Sequence, residues 1–211
     1  MIDASEFSNI ILELQRQPLQ TNNYRNKAGS GRSQAFGVVC RRCLLPDYSR
    51  QCWVRPYLYK LLLDFADKHV KIPYTSITVN QNYKAAAHKD KGNVGESFLV
   101  AFGDYTGGCL EVEEGSEKKL YDVKYQPLVL DFSKHMHEVK DFEGDRYSLV
   151  FYTARKSEGL PKPSVRFEDN KWHFYRGEEK IKGLPHPLKG RKRDSGMQMY
   201  REEKEVVIEF S

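Results

Sequence analysis

The stretch YKAAAHKDKGN, residues 83–93, places a histidine and an aspartate two positions apart at the end of a predicted strand. Side chains two positions apart on a strand point to the same face. The imidazole of His88 and the carboxylate of Asp90 can therefore converge on one metal ion. A His-x-Asp pair is nevertheless common by chance, and on its own it is also compatible with a surface loop.

A candidate for a third ligand lies in DFSKHMHEVK, residues 131–140, at the end of another predicted strand. His135 and His137 are two positions apart and can face the same way. Two histidines and one carboxylate on one face of an octahedron leave three positions open, which suits the oxygen chemistry of Fe(II). The residues alone leave both histidines open as the third ligand.

The segment GDRYS, residues 144–148, leads into a predicted strand at Tyr147–Tyr152. An arginine inside a β-barrel needs an anionic partner, because burial of an unpaired charge is very costly. A planar guanidinium can bind a carboxylate through two parallel hydrogen bonds. Arg146 is therefore a candidate for binding a dicarboxylate cosubstrate.

The rest of the chain predicts helices first and short strands afterwards. Apolar residues recur at helical spacing in residues 3–16 and 55–69. Residues 20–35 are polar and Gly/Ser-rich and predict a loop, whereas residues 36–41 predict a strand. Helices followed by many short strands indicate a mainly β barrel or sandwich with supporting helices. The short strands are predicted at Ser76–Tyr83, Ser97–Phe102, Cys109–Val112, Lys118–Val123, Leu128–Phe132, His137–Val139 and Tyr147–Tyr152.

We expect a single domain over residues 1–211, with helical support over 1–72, a β-barrel core over 73–156 and a C-terminal extension over 157–211. The Gly107-Gly108 pair predicts a tight turn or a close backbone approach.

Within the extension, Ser164–Glu168 and Lys171–Arg176 predict a hairpin around Asp169-Asn170. A last strand is predicted at Glu205–Phe210.

Composition limits the classes of protein further. The 211 residues are 39% hydrophobic, which is enough for one globular domain with a substantial core. No run approaches the ~20 apolar residues that a bilayer span needs. The N-terminus lacks the basic region of a secretion signal, and the cysteines are few for a disulfide framework. We therefore expect a cytoplasmic or nuclear protein with ordinary thiols, since the Cys40/Cys43 pair lacks the second close pair of a structural zinc site.

The order His-x-Asp, His, Arg-x-Ser over residues 75–154 resembles the Fe(II)/2-oxoglutarate-dependent oxygenase superfamily. The resemblance implies a double-stranded β-helix, a jelly-roll or cupin-like barrel, with N-terminal helices packed on one sheet. It also implies Fe(II), 2-oxoglutarate and O₂, and an oxidoreductase that hydroxylates a C–H bond with release of succinate and CO₂.

By this resemblance His88, Asp90 and His137 match the iron ligands. His137 and His135 precede Arg146 by nine and eleven residues, and both spacings fit the prolyl-hydroxylase-like members. His137 is preferred because its His-x-Val pattern, followed by a short turn, matches the family better. His135 is then a neighbour of the metal site.

The cosubstrate residues are implied in the same way. Arg146 matches the residue that binds the distal carboxylate of 2-oxoglutarate, and Ser148 can add a hydrogen bond there. Tyr83 and Asn82, on the strand that leads to the His-x-Asp pair, are candidates for the other end of the cosubstrate. Asn80 is a weaker candidate, and Tyr83 is equally compatible with a core aromatic residue.

Within the superfamily, residues 77–112 (ITVNQNYKAAAHKDKGNVGESFLVAFGDYTGGCLEV) are most similar to the TET/JBP group, which oxidises the methyl group of a pyrimidine base in nucleic acid. The pattern His-x-Asp-x-x-Asn places Asn93 where the matching asparagine contacts a flipped base. An amide can donate and accept on a pyrimidine edge. Asn93 also lies between two glycines, so a plain turn residue is the alternative. The implied substrate is 5-methylcytosine or thymine, flipped out of any duplex.

Two other substrate classes stay open. A prolyl- or lysyl-type protein hydroxylase fits the spacing from His137 to Arg146, and an oxygenase of a free small molecule is the third reading. A binding module without metal would require a broken triad, and the triad is intact.

The charge balance is compatible with a DNA or RNA partner. The net charge is +5 and the isoelectric point is near 8.9. Basic clusters of this kind either contact phosphates or form a solvated surface. We expect a monomer with no membrane partner. The basic residues are Arg25, Lys27 and Arg32 in the early loop, Arg41 and Arg42 between cysteines, and Lys189, Arg191, Lys192 and Arg193 near the C-terminus.

Overall fold

The computed structural model describes residues 1–20, 29–40, 46–157 and 159–181. A 3₁₀ turn at Ala4–Phe7 leads into α1, and two more helices follow after the first two strands. The helices are α1 (Ser8–Arg16), α2 (Gln51–Val54) and α3 (Pro56–His69).

Twelve strands are present in the part of the chain that the structure describes. They are β1 (Gly29–Val39), β2 (Asp47–Tyr48), β3 (Ser76–Ala85), β4 (Asn93–Gly107), β5 (Leu110–Glu114), β6 (Glu117–Tyr121), β7 (Leu128–Leu130), β8 (His137–Val139), β9 (Phe142–Ala154), β10 (Pro163–Glu168), β11 (Lys171–Arg176) and β12 (Glu179–Lys180).

The strands form three antiparallel sheets. The major sheet has six strands in the order β2-β1-β3-β9-β4-β7, and the minor sheet has three in the order β6-β5-β8. The third sheet, β10-β11-β12, is the C-terminal hairpin with one short added strand. The sheets are not closed into one continuous barrel, so the two main sheets form a sandwich.

One face of the major sheet carries the helices, because apolar side chains alternate along its strands. On β3 and β9, Val79 and Leu149 belong to the same core cluster as Leu14 and Leu62 of the helices. Phe7, at the start of the helical layer, stacks on Phe102 of β4 with ring centroids 4.4 Å apart. The predicted packing of N-terminal helices on one sheet is confirmed.

The other face of the major sheet meets the minor sheet across a second core. Leu99 and Ala101 of β4 pack there with Leu110 and Val112 of β5, and Phe132 joins them. Because the inward positions of β3 and β9 opposite this core are partly polar, the two sheets leave a cavity between them. The cavity is where the candidate site lies.

The strands predicted over residues 76–152 are present; β3, β4, β5 and β9 are longer than predicted, β6 and β7 are shorter, and β8 has the predicted bounds. The predicted strands at Ser97–Phe102 and Tyr147–Tyr152 are the middles of β4 and β9, which pair with each other. The predicted hairpin is also confirmed, since Asp169 and Asn170 both adopt positive φ between β10 and β11.

The loop predicted over residues 20–35 is partly wrong, because residues 29–35 belong to β1. These residues are polar and glycine-rich, but they pair with β3 along its length. At Gly31, which has φ 118°, a Cβ atom would collide with the backbone of Asn82, so the pairing requires glycine. Pairing with a distant strand therefore overrides a loop-like composition.

Three predictions fall on residues outside the described ranges: the strand at Glu205–Phe210, the basic segment at 189–193, and the basic positions 25, 27, 41 and 42. None of the helices in the described ranges is long and apolar enough to cross a membrane.

Candidate active site

His88, Asp90 and His137 form a cluster at one end of the cavity. Their ligand atoms all lie within 4.8 Å of one another. The Nε2 atoms of His88 and His137 are 3.4 Å and 4.0 Å from the two carboxylate oxygens of Asp90. Ligands bound to one octahedral face at about 2.1 Å from a metal lie about 3 Å apart. Small side-chain movements therefore suffice for all three groups to bind one ion.

Backbone hydrogen bonds between two loops create this cluster. The N–H groups of His88 and His137 each donate to the other residue's carbonyl, at 3.0 Å and 2.9 Å. The N–H of Asp90 donates to the carbonyl of Phe132 at 3.0 Å. His88 and Asp90 lie beyond the end of β3, so an isolated bridge, and not a regular strand, brings them to the same side.

The second nitrogen of each histidine ring is held by the backbone. The Nδ1 atom of His88 is 2.7 Å from the carbonyl of Ala86, and that of His137 is 3.1 Å from the carbonyl of His135. A carbonyl accepts a proton from Nδ1, which leaves each Nε2 lone pair directed at the cluster. Burial lowers the pKa of His137, which favours the neutral, metal-binding form. This donor set fits a divalent transition metal.

His135 lies outside the cluster. Its Nδ1 atom is 3.0 Å from the carbonyl of Glu113 on β5, and the side chain does not line the cavity. Of the two histidines that the sequence left open, the structure brings His137 to His88 and Asp90.

Arg146 lies on β9 with its side chain in the same cavity, and it is only 2% exposed. Burial lowers its pKa, and the neighbouring Tyr105 opposes that effect. Its Nε atom has no hydrogen-bond partner, and no carboxylate of the described residues pairs with it. A buried cation without an anionic partner is costly, so this position fits an anionic ligand.

The Gly107-Gly108 pair explains how the arginine is accommodated. Gly108 has φ 68°, and a Cβ atom there would lie 2.9 Å from the Nε atom of Arg146. The predicted close backbone approach is present, and its partner is the arginine side chain.

Ser148 and Asn80 lie side by side on neighbouring strands. The two residues are register partners on β9 and β3, and the Asn80 amide donates to the Ser148 hydroxyl at 3.0 Å. Both line the cavity with Arg146. Asn80 is therefore better placed for a polar ligand than the sequence indicated.

Tyr83 lines the cavity and Asn82 does not. The Asn82 side chain is exposed, accepts from the backbone N–H of Arg146 at 2.8 Å and donates to Asp145 at 3.1 Å. Asn82 has φ 49° at a bulge where the register between β1 and β3 shifts. The bulge reverses the alternation, so Asn80 and Tyr83 face the cavity and Asn82 supports β9 from outside. For this physical reason the structure does not bring Asn82 into the cavity with the other candidate cosubstrate residues.

Asn93 is buried at the start of β4 and lines the cavity. Its amide donates to the Oδ2 atom of Asp90 at 3.4 Å, and its backbone N–H donates to the carbonyl of Asp90 at 2.9 Å. Asn93 therefore closes the turn that presents Asp90, and it also lines the cavity.

Several cavity residues had no signal in the sequence. Thr78 and Tyr152 lie further along β3 and β9 from Asn80 and Ser148. The Thr78 hydroxyl donates to the Tyr152 hydroxyl at 3.4 Å. Phe132 packs against His137 with ring centroids 4.7 Å apart. Their positions follow from strand alternation once the register is known, which a single sequence does not reveal. The apolar wall of the cavity is formed by Leu99, Leu110, Phe132, Val139 and Val150.

No protein-family model matches the chain, and no curated protein matches it. Solved structures do match. NgTET1 in complex with 5mC DNA aligns with a TM-score of 0.53 and 15% identity over 74% of this chain and 69% of that chain. An oxidoreductase of the 2OG-Fe(II) oxygenase family from Burkholderia pseudomallei aligns with a TM-score of 0.46 and 18% identity over 71% of this chain and 78% of that chain. A Pseudomonas putida prolyl-4-hydroxylase aligns with a TM-score of 0.45 and 13% identity over 73% of this chain and 89% of that chain.

At 15% identity the alignment with NgTET1 shows a shared fold. The predicted fold class, a mainly β double-stranded β-helix with supporting helices, is confirmed. Of these three structures, NgTET1 has a TM-score above 0.5.

Proposed function

We propose that this protein is an Fe(II)- and 2-oxoglutarate-dependent dioxygenase that hydroxylates a C–H bond. The observation that carries the proposal is one cavity with a His-Asp-His cluster and, on its wall, the buried guanidinium of Arg146, which pairs with no carboxylate of the described residues. A dicarboxylate that binds a metal at one end needs a cation for its other end. The cavity provides the candidate metal ligands for one end of the dicarboxylate and a cation for the other end.

His88, Asp90 and His137 would hold the iron, which supplies the activation of O₂ and the oxidation of the substrate. In the overall reaction one oxygen atom enters the substrate as a hydroxyl group and the other enters succinate, while the carboxyl group of 2-oxoglutarate leaves as CO₂.

The chain's own residues bind and orient the reactants. Arg146 would grip the distal carboxylate of the cosubstrate, with Ser148 and Asn80 offering polar atoms beside it. Tyr83 lines the same cavity and is a candidate for a further contact. The apolar side chains on the opposite wall exclude water and so strengthen these electrostatic contacts.

For the substrate, we propose the methyl group of a pyrimidine base in nucleic acid, 5-methylcytosine or thymine. The support is the resemblance of residues 77–112 to the TET/JBP group and the amide of Asn93 in the cavity beside Asp90. The structure of NgTET1, which shares the fold, holds 5mC DNA.

The test has two stages. Succinate release that requires both Fe(II) and 2-oxoglutarate would establish the reaction class, and its absence with every substrate would contradict it. Mass spectrometry of nucleosides after incubation with methylated DNA or RNA would then identify an oxidised base. Turnover on a proline- or lysine-containing peptide library without any oxidised base would instead indicate a protein hydroxylase.

A further inference from the structure

The loop that carries the candidate metal ligands also presents cations. Lys89 and Lys91 flank Asp90, and the backbone N–H of Lys91 donates to the carbonyl of Lys89 at 2.9 Å. Between the two lysines, Asp90 lines the cavity, so their backbone adjoins the part of the cavity where the cluster lies. Arg155, just beyond β9, donates its backbone N–H to the carbonyl of Gly92 at 2.7 Å, so it adjoins the same turn.

These three side chains are exposed, and none forms an ion pair with a carboxylate in the described ranges. Two other lysines near the cavity are neutralised. Lys84 pairs with Asp141, and the Nζ atom of Lys134 lies 2.8 Å from the carboxylate of Asp131. Lys89, Lys91 and Arg155 are therefore the cations of this loop region that stay available to a ligand.

We propose that Lys89, Lys91 and Arg155, the cationic rim, bind the phosphates of a nucleic acid strand whose base enters the cavity. This inference rests on the proposed function, because it takes the cavity as the active site. Cations around a polar pocket fit a strand better than a free nucleoside, because a strand has phosphates on both sides of the inserted base. Inside, the rings of Tyr83 and Tyr152 and the amide of Asn93 suit a flat base with polar edges.

The test uses a fluorescently labelled single-stranded oligonucleotide that contains 5-methylcytosine. Its binding is measured by fluorescence anisotropy at several salt concentrations. The rim variant carries Lys89→Ala, Lys91→Ala and Arg155→Ala. The control variant carries Lys71→Ala, Lys171→Ala and Arg50→Ala. It removes the same number of charges from exposed residues just after α3, on β11 and just before α2, none of which lines the cavity.

We expect the rim variant to raise the Kd for the oligonucleotide about tenfold or more, and to reduce the slope of log K against log salt by about 2, since each phosphate contact on a single strand contributes about 0.7. The control variant should change the Kd by less than about threefold. Equal effects of the two variants would overturn the inference, because net charge alone would then explain the binding. No binding of the oligonucleotide to the unmodified protein would overturn it as well.

A labelled polyglutamate probe separates nucleic acid from an acidic peptide. If polyglutamate binds as tightly as the oligonucleotide and loses as much affinity in the rim variant, the assignment to nucleic acid is wrong. Iron binding and succinate release, measured on the same variants, keep the two proposals apart. Rim-dependent binding without succinate contradicts the proposed function, whereas succinate formed with another substrate and no rim-dependent binding contradicts this inference alone.

Discussion

At the scale of single residues, the site depends on which atoms each side chain leaves for a ligand. The backbone carbonyls of Ala86 and His135 occupy the Nδ1 atoms of His88 and His137, so the Nε2 atoms face Asp90. The sequence shows two candidate histidines with the same local spacing, and nothing in that spacing distinguishes them. The distinction lies in the ring hydrogen bonds: the His135 ring contacts the carbonyl of Glu113 on β5, whereas the His137 ring contacts the carbonyl of His135.

Replacing His137 by alanine should therefore reduce the affinity for Fe(II) at least about 100-fold. Mutation of a residue that merely supports a metal ligand already reduces metal affinity about 10- to 100-fold. Replacing His135 by alanine is the matched control, and it should retain most of the affinity. Calorimetric titration with Fe(II) under anaerobic conditions measures both. A larger loss for His135→Ala than for His137→Ala would reverse the assignment.

Replacing Arg146 by alanine should raise the KM for 2-oxoglutarate about 10- to 100-fold, since a charge-assisted hydrogen bond contributes about 1.5–3 kcal/mol. Iron affinity should change little, because Arg146 is not in the metal cluster. Arg146→Lys keeps the charge without the two parallel hydrogen bonds and should give an intermediate KM. An unchanged KM in Arg146→Ala would remove the cosubstrate assignment.

At the scale of elements, two backbone features decide which side chains enter the cavity. The bulge in β3 at Asn82 reverses the strand alternation and turns Tyr83 inward. The turn at Gly107-Gly108, between β4 and β5, approaches β9 closely enough to contact Arg146. Both features arise from pairing between segments that are distant in sequence.

The Gly108→Ala variant should displace the Arg146 side chain and raise the KM for 2-oxoglutarate about tenfold or more. Gly115→Ala provides the control, because Gly115 has nearly the same φ, 67° against 68°, but nothing lies within 4 Å of its added Cβ atom. Both variants should lose about 1 kcal/mol in the free energy of unfolding from backbone strain. Only Gly108→Ala should change the kinetics, and equal KM values in the two variants would show that the contact has no role.

At the scale of the whole molecule, the helical layer supports the sheet that carries the cavity. Phe7 is fully buried and stacks on Phe102 of β4, and its ring centroid is 5.1 Å from that of Phe65 on α3. One phenylalanine therefore links the N-terminal turn, the third helix and the major sheet.

Phe7→Ala should lower the free energy of unfolding by about 3–5 kcal/mol, the usual cost of truncating a buried phenylalanine. Leu12, on the outer side of α1 and 62% exposed, is the matched control, and Leu12→Ala should cost less than about 0.5 kcal/mol. Urea unfolding, monitored by tryptophan fluorescence, measures the free energy of unfolding of both variants. A small effect of Phe7→Ala would show that the helical layer is not needed for the stability of the sheet.

The sequence by itself was enough to predict the fold class and the residues of the candidate site. The order His88, Asp90, His137 and Arg146 resembles the Fe(II)/2-oxoglutarate oxygenases, and that resemblance implied a double-stranded β-helix and a candidate metal site. Local periodicity was also enough for the hairpin around Asp169-Asn170, because the turn and both strands are contiguous in the chain.

Only the tertiary structure decided which of the neighbouring polar residues face the cavity. His137 was separated from His135, and Tyr83 from Asn82, by hydrogen bonds and a register shift that involve distant segments. Residues 29–35 became a strand for the same reason. A shift of one residue in pairing exchanges the two faces of a strand, and a single sequence does not encode that register in any local pattern.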